Sequence, residues 1–321
     1  MKQRLLKAAV LPLMIALPSA ANTEDEGVTN KTSFNFYGTL RPTFGITSNG
    51  SEDSWDVKDA LSRIGFSSQK ALGNGMTAFA TGEFKIAIDK NGDLGEARKA
   101  FVGIKGDFGR VAIGKQWSTI YNMLGDPVDI FNRASSPLAY DHIGPYRINN
   151  YVSYRKIIGD FSLATDVQID DENEASQNTD RFNTGLAYSA NNLRLAVAYY
   201  IQKMAVDKKE IRGVSAAKSF GDLYLAATFT DTDDQGVNKT SLDMVAAYKL
   251  SNGYKLKIGI SDFDSSVDVT SFRAYNATLE WHPRNDFYLF GEVQTMDWKA
   301  GDSTNSFMVG LRYNFDYGFK F

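Results

Sequence analysis

The chain has 321 residues, a formal net charge of −3 and no cysteine, which excludes a disulfide framework and thiol chemistry. Charged residues make up 23% of the chain and its mean hydropathy is −0.30, values that exclude a protein built from apolar membrane-spanning helices. The 16 tyrosines and 21 phenylalanines, against only 7 prolines, favour β structure in either a soluble or a membrane protein.

The N-terminus carries an export signal. Three basic residues precede an apolar run of ten residues over 8–17, and small residues follow as far as Ala21. This pattern predicts a secretory signal peptide over 1–21, because a helix that anchors a protein in a bilayer needs about twenty apolar residues. The mature chain, 22–321, then has 32 basic residues against 38 acidic ones, and we expect it to form one domain.

Alternation of apolar and polar residues predicts sixteen strands. In chain order they cover 34–46, 57–68, 76–88, 96–105, 109–119, 147–157, 160–169, 181–189, 193–203, 209–219, 222–232, 239–249, 254–263, 270–282, 286–298 and 305–321. An even number of strands suits a closed bacterial barrel, in which the first and last strands pair.

The last strand has the clearest pattern. Every odd position from Phe307 to Phe321 is apolar, and the even positions include Arg312, Asn314 and Lys320. Successive side chains of a strand point to opposite faces. The apolar, aromatic face suits lipid and the polar face suits a water-filled lumen, so the sequence predicts a transmembrane β-barrel.

Two kinds of connection alternate along the chain. Seven are tight and rich in Gly, Asn and Asp, as hairpin turns require, and eight are mostly longer and polar. The longest connection, 120–146, lacks strand alternation yet holds many apolar and aromatic residues. A long loop of this composition should pack against something, and the free space in a barrel is its lumen.

Several motifs spread over the mature chain resemble the trimeric general diffusion porins of Gram-negative outer membranes. They are Phe36-Tyr37-Gly38, Ser62-Arg63-Ile64-Gly65-Phe66, Phe101-Val102-Gly103-Ile104, Gly106-Asp107-Phe108-Gly109, Gly114-Lys115, Arg147, Asn150-Tyr151-Val152-Ser153-Tyr154-Arg155 and the terminal Phe321. The resemblance implies an all-β fold: a 16-stranded antiparallel transmembrane barrel whose third outer loop folds inward.

The resemblance also implies a constriction. In this family, carboxylates of the inward loop face basic side chains on the opposite wall. The basic residues that match are Arg63, Lys115 and Arg147, with Arg41 as a weaker fourth candidate. The acidic candidates are Asp126 and Asp129, in a loop that lacks the Pro-Glu-Phe-Gly-Gly-Asp signature of enterobacterial members. Turning Lys115 inward would also turn Val111, Ile113 and Trp117 inward, which predicts either a bulge or a wall packed under the loop.

As for function, the resemblance implies a passive channel for small hydrophilic solutes and ions in the outer membrane. It implies a homotrimer in contact with lipid and lipopolysaccharide, inserted by the barrel assembly machinery with Phe321 as its signal. Neither nucleic acid nor any cofactor or metal is expected. The acidic mature chain predicts a weak preference for cations.

Two alternatives remain open from the residues. A substrate-selective porin for sugars would line its path with aromatic rings, and four aromatic residues have the inward parity: Tyr200, Tyr224, Tyr288 and Phe290. A structural or adhesive barrel protein would instead bind a partner through long outer loops. Catalysis is not expected, because neither His142 nor His282 lies in a nucleophile motif.

Overall fold

The computed structural model describes residues 32–50, 52–132, 138–168, 180–204 and 207–321. The signal peptide predicted over 1–21 lies outside these residues, as does the start of the mature chain. Among the described residues, no helix combines the length and the apolar character needed to cross a membrane.

Strands make up almost all of the described chain. They are β1 Thr32–Leu40, β2 Pro42–Ser48, β3 Asp53–Asp59, β4 Arg63–Gly73, β5 Met76–Ile86, β6 Leu94–Gly106, β7 Gly109–Trp117, β8 Arg147–Ile158, β9 Phe161–Gln168, β10 Arg181–Ala190, β11 Leu193–Lys203, β12 Lys208–Phe220, β13 Leu223–Asp234, β14 Val237–Lys249, β15 Tyr254–Ser265, β16 Phe272–Trp281, β17 Phe287–Trp298 and β18 Thr304–Lys320. A π-helical turn covers Tyr121–Gly125, and 3₁₀ turns cover Ala139–His142, Ser251–Gly253 and Asp268–Thr270.

These segments form sixteen barrel strands, because β1 with β2 and β3 with β4 are each one interrupted strand. β1 and β2 pair with β18 in a single register, from Leu40 opposite Tyr313 to Thr43 opposite Gly310. The break falls at Arg41, before a proline, which has no N–H to donate. The break between β3 and β4 contains Leu61, which has a φ of 71°.

All neighbouring strands are antiparallel, and β1 pairs with the last strand, β18, so that the sheet closes on itself. The predicted 16-stranded antiparallel barrel is therefore confirmed. Tight turns of the predicted type join the hairpins at one end; Asn191 and Asn192, for example, both have positive φ values, 52° and 60°. That pair of angles matches the right-handed twist of the flanking strands.

The two faces of the barrel differ as the alternation predicts. On β12, β13 and β14 the residues Val214, Phe229 and Met244 are exposed on the outer face. Their neighbours Ser215, Thr228 and Asp243 are buried on the inner face. An apolar belt outside and polar groups inside are typical of a transmembrane barrel with a wet interior.

The core of the molecule lies against the inner wall. Buried apolar side chains of the long connection between β7 and β8, among them Ile120, Met123 and Leu124, form one cluster with inner-face residues such as Tyr200 and Ile211. The connection therefore packs against polar-face positions of the strands and not against the apolar outer face.

Candidate functional site

Basic side chains from neighbouring strands surround one carboxylate on the inner face. Glu83 on β5 accepts a hydrogen bond from Arg98 Nε at 2.9 Å and lies 2.7 Å from Lys99 Nζ, both on β6. Arg63 Nε, on β4, is 3.8 Å from the same carboxylate. The Tyr37 hydroxyl donates a further bond of 3.2 Å. The positive charge around this carboxylate therefore exceeds its own negative charge.

Three further arginines extend this group. Arg41 lies in the gap between β1 and β2, and Arg312 lies on β18. The charges of Arg63 and Arg312 act on Arg41, and that of Arg312 also acts on Arg63. Arg147, at the start of β8, interacts electrostatically with Arg98 and Glu83. We call this set of Glu83 and six basic residues the Glu83 cluster; its basic members are Arg41, Arg63, Arg98, Lys99, Arg147 and Arg312.

Aromatic rings link the Glu83 cluster to the long connection. The Arg147 guanidinium lies 4.5 Å from the Trp117 ring centroid, and Trp117 stacks on Tyr121 with 4.2 Å between centroids. The Tyr121 hydroxyl donates a 2.9 Å hydrogen bond to Asp129. A cation held on an aromatic face keeps its orientation without a carboxylate partner, so the Trp117 ring fixes the position of the Arg147 guanidinium.

Wall carboxylates hold the backbone of the connection. Asp166 on β9 accepts the N–H of Thr119 at 2.5 Å, and Glu292 on β17 accepts that of Asn132 at 3.1 Å. Asp243 on β14 accepts two N–H groups in succession, from Ala139 at 2.8 Å and Tyr140 at 2.9 Å. Charge-assisted bonds of this kind are stronger than neutral ones, and they are spread along the connection.

Two glycines let the connection approach the wall. On β10, a methyl group at Gly185 would lie 2.7 Å from Met123 Cγ, and on β12 one at Gly213 would overlap Leu124. Neither position has an unusual φ, so the requirement is for space and not for backbone freedom. The apolar side chains of the π-helical turn thus occupy hollows in the barrel wall.

Asp129 is the predicted acidic residue that faces basic charge. Although its side chain is exposed, the surrounding wall removes water from it and raises its pKa. The Tyr121 hydrogen bond and the charges of Arg41 and Arg63 act in the opposite direction. Asp129 therefore lies within electrostatic reach of the Glu83 cluster.

Asp126, the second acidic candidate, has a different neighbour. Its side chain is exposed, but the surrounding protein partly desolvates the carboxylate and raises its pKa, and the charge of Arg194 on β11 opposes that rise. Arg194 itself donates to the carbonyl groups of Met123 and Asn122, at 3.1 and 2.9 Å. Asp126 therefore belongs with Arg194 near a tight turn, away from the Glu83 cluster.

Lys115 stands apart from the other predicted basic residues. Its Nζ lies 4.0 Å from Glu96 Oε2, and the pairing of β7 with β8 shifts register between Gly114 and Gln116. The predicted bulge is confirmed; Gly114 has a φ of 123° there, and Ile113 is exposed on the outer face.

Phe321 follows β18 and pairs with Thr32 at the start of β1, where the barrel closes. Its N–H donates to Thr32 O at 2.9 Å, its carbonyl accepts from Thr32 N–H at 3.1 Å, and its side chain is 77% exposed. The ring is thus presented outside the barrel.

Sequence reasoning missed Glu83, Arg98, Lys99 and Arg312. Glu83 and Arg312 could have been found from the sequence. Each is a charged residue at an inward-facing position of a predicted strand, and its two neighbours in the chain are apolar and face outward. Arg98 and Lys99 were harder to find. The pairing of β5 with β6 shifts register between Glu83 and Ile86, so both successive side chains reach the same carboxylate.

The inward aromatic residues do not form an open track. Tyr200, Tyr288 and Phe290 are almost fully buried, and the Tyr288 hydroxyl donates to Asn132 Oδ1 at 3.1 Å. Tyr224 is half-buried and donates to the carbonyl of Pro127 at 2.7 Å. Rings that are buried to this extent cannot stack on a passing solute.

Comparison with known sequences gives a consistent family. A family model described as a Gram-negative porin matches residues 8–320. A "Monosaccharide porin" of a Halomonas species is 27% identical over 247 residues, covering 70% of this chain and 65% of that protein. The chain thus spans just under two thirds of the length of that relative. "Major outer membrane protein P.IB" of Neisseria meningitidis is 25% identical over 294 residues, covering 81% and 84%.

Solved structures share the fold. An anion-selective porin from Comamonas acidovorans superposes with a TM-score of 0.74 at 18% identity, covering 88% of this chain and all of that one. OmpF of Salmonella typhi in complex with daunomycin gives 0.77 at 17%, covering 88% and 97%. The trimer form of OmpT from Vibrio cholerae gives 0.70 at 15%, covering 88% and 99%.

Proposed function

Because this chain belongs to the Gram-negative porin family, we propose that it forms a water-filled channel through which small hydrophilic solutes and ions diffuse passively. Its location is the outer membrane of a Gram-negative bacterium, which the family and the transmembrane barrel both support. A barrel of sixteen strands is too wide for side chains alone to fill. Diffusion of this kind uses no catalytic group.

The connection 120–146 is, in this proposal, the inward-folded third outer loop that sets the size limit. The observation that carries the proposal is its attachment to inner-face carboxylates of β9, β14 and β17. A loop tethered there occupies part of the lumen cross-section. Solutes must then pass between the loop and the Glu83 cluster.

Ion preference follows from the charges beside that gap. The Glu83 cluster has six basic side chains and one carboxylate, and Asp129 of the loop faces it. Within a narrow lumen with low-dielectric walls, local charge focuses the field and outweighs the net charge of distant surfaces. We therefore propose a preference for anions, in place of the weak cation preference that the acidic mature chain predicts.

Electrical recordings test the function directly. Purified protein in a planar bilayer should give stepwise conductance increments, and a potassium chloride gradient should give a reversal potential of the sign set by chloride. Protein that inserts but does not conduct would contradict the channel and favour a structural or adhesive barrel. A conducting protein with a cation-type reversal potential would contradict only the proposed ion preference.

A sugar-selective channel is the second candidate. The relative of that name among Halomonas proteins supports it, whereas the burial of Tyr200, Tyr288 and Phe290 opposes it. Block of single-channel current by millimolar glucose would favour selectivity. A conductance that responds to glucose only through the viscosity of the solution would favour the general channel.

We further propose that the channel is a homotrimer surrounded by lipid and lipopolysaccharide and inserted by the barrel assembly machinery. Small outward side chains on β5 and β6, among them Ala80 and Ala100, leave a shallow strip between larger apolar residues such as Val102. Small residues permit close approach of a neighbouring barrel, and a cyclic trimer would bury the same patches in every subunit.

A further inference from the structure

Three cations lie in a row across β6, β7 and β8, close to the tight turns. Lys105 is directly opposite Arg110, and Arg110 is directly opposite Arg155. Like charges that face each other across neighbouring strands destabilise a sheet. This row of like charges should therefore lower the stability of the sheet. Residues that destabilise a fold in this way are expected at functional positions.

The three cations differ in their partners. Arg155 lies 3.6 Å from the carboxylate of Asp166 and donates to the Trp117 carbonyl at 2.9 Å. Lys105 instead donates to a neutral acceptor, Gln69 Oε1, at 2.8 Å. In the described part of the chain, neither Lys105 nor Arg110 has a carboxylate within ion-pair distance. Their mutual repulsion is therefore not offset by an ion pair, and the Asp166 carboxylate acts on Arg110 only from beyond ion-pair distance.

Aromatic rings fix the Arg110 side chain. Its guanidinium lies 4.4 Å from the centroid of Phe79 and 5.2 Å from that of Phe101. Gly103 makes the room for this arrangement, since a methyl group there would lie 2.5 Å from Phe79. A cation held over two rings loses little entropy when it binds a ligand, so the guanidinium is preorganised.

A recess of about 650 Å³ opens beside these groups. Hydroxyl groups of Ser67, Thr77 and Thr81 line it together with Lys105 and Arg110. One carboxylate, that of Asp107 in the adjoining turn, lies at its rim and is exposed. Hydroxyl, ammonium and guanidinium donors around one space match the acceptor oxygens of phosphate or carboxylate groups.

We propose that this recess is a transient binding subsite for small oxyanions, at the end of the barrel that carries the tight turns. In barrels of this type that end faces the periplasm. An anion placed between Lys105 and Arg110 would relieve their repulsion and accept charge-assisted bonds from both. The inference rests on the proposed channel function and adds a second anion site to the Glu83 cluster.

Inorganic phosphate is the probe for the test. Chloride current through single channels is recorded while phosphate is added on the tight-turn side of the bilayer. In the unmodified protein the current should fall to a plateau as phosphate fills the recess. The double variant Lys105→Gln/Arg110→Gln should need a roughly tenfold higher phosphate concentration for the same reduction, the change expected when charged hydrogen bonds to an anion are lost.

Two variants control the experiment. Lys218→Gln removes one positive charge at the same end of the barrel, from a half-buried lysine that donates to Asn191 O. It should leave the phosphate response unchanged. Arg110→Lys keeps the charge and should retain most of the response, which also covers the case in which the double variant does not assemble. An equal phosphate response in the double variant and the unmodified protein would overturn the subsite while leaving the channel intact, whereas absence of any current would overturn both.

Discussion

At the scale of single residues, Arg63 and Arg147 are predicted basic residues with different partners: Arg63 lies 3.8 Å from the Glu83 carboxylate, and Arg147 lies on the Trp117 ring. Arg63 shares Glu83 with two closer cations, Arg98 and Lys99. Removing its charge therefore leaves the carboxylate paired, and the barrel should still assemble.

We expect the double variant Arg63→Gln/Arg147→Gln to shift the reversal potential toward cations, because two positive charges are lost beside the proposed constriction. Reversal potentials in a potassium chloride gradient measure the shift. Arg284→Gln is the matched control, since Arg284 is exposed and paired with Asp286 at a tight turn. Equal selectivity in the double variant and the unmodified protein would mean that neither arginine sets the field.

Asp129 should make selectivity depend on pH. Partial desolvation by the surrounding protein raises its pKa, so it takes up a proton at a higher pH than an ordinary aspartate, whose pKa is about 3.9. As pH falls through that raised value, the carboxylate becomes neutral and the lumen loses negative charge. Anion preference should therefore increase between neutral and acidic pH.

The measurement is the reversal potential as a function of pH for the unmodified protein and for Asp129→Asn. The variant should begin with the higher anion preference and lose most of the change on acidification. Parallel curves for the two proteins would show that another group titrates. Asp141 is not that group near neutral pH, because burial with the charges of Asp129 and Asp243 raises its pKa to about 9 and keeps it protonated.

Phe321 should matter for assembly more than for stability. Its backbone pairs with Thr32, but its ring is exposed outside the barrel. If the ring is the insertion signal, Phe321→Ala should lower the amount of protein in the outer membrane while Phe321→Tyr preserves it. Quantitative immunoblots of outer-membrane fractions measure this, and equal levels for all three proteins would exclude the ring as a signal.

At the scale of elements, the long connection is held by the wall more than by its own regular structure. Its π-helical turn has five residues, Tyr121–Gly125, too few for a helix to be stable alone. Its backbone N–H groups bond to the carboxylates of Asp166, Asp243 and Glu292. The barrel strands thus determine where the loop lies.

Asp243→Asn should loosen this element. The carboxylate accepts two backbone N–H groups and the Ser261 hydroxyl, and an amide replaces one acceptor oxygen by a donor. We expect larger or noisier single-channel conductance. Asp262→Asn is the control, because its partner Arg273 is on the exposed face, where ion pairs contribute little. Identical conductance for Asp243→Asn and the unmodified protein would mean that this anchor is dispensable.

At the scale of the whole molecule, the closed sheet accounts for membrane residence. Every strand has two hydrogen-bonded neighbours once β1 pairs with β18, and lipid offers no alternative partner for an unpaired edge. Closure also separates the apolar outer face, which contacts lipid, from the polar inner face, which contacts water in the lumen.

Assembly into trimers is the prediction that belongs to this scale. Native mass measurement in mild detergent should give three times the protomer mass. Ala80→Trp, which fills the shallow strip on β5, should shift the population toward monomer, whereas Ala216→Trp on the outer face of β12 should not. A monomer as the only species in the unmodified protein would contradict the proposal.

Local patterns in the sequence determined the strands, the turns and the orientation of each face. The segment predicted over 193–203 coincides with β11, and that over 147–157 differs from β8 by one residue. Strand periodicity and turn chemistry depend on neighbours in the chain, so they can be read without the fold. The sequence also showed the long apolar loop, and its resemblance to a family pointed to Arg63 and Arg147 as basic residues of the wall.

Only the tertiary structure decided which charges meet. Arg98 and Lys99 reach Glu83 through a register shift, and Lys115 lies beside Glu96 at a bulge. The charge that acts on Asp126 is that of Arg194, which does not belong to the Glu83 cluster. The alignment of Lys105, Arg110 and Arg155 across three strands was likewise visible only in the structure. These encounters depend on register and height across a closed sheet, and one residue of slip moves a side chain to the opposite face. A single sequence contains the charges, whereas the closed barrel sets the distances between them.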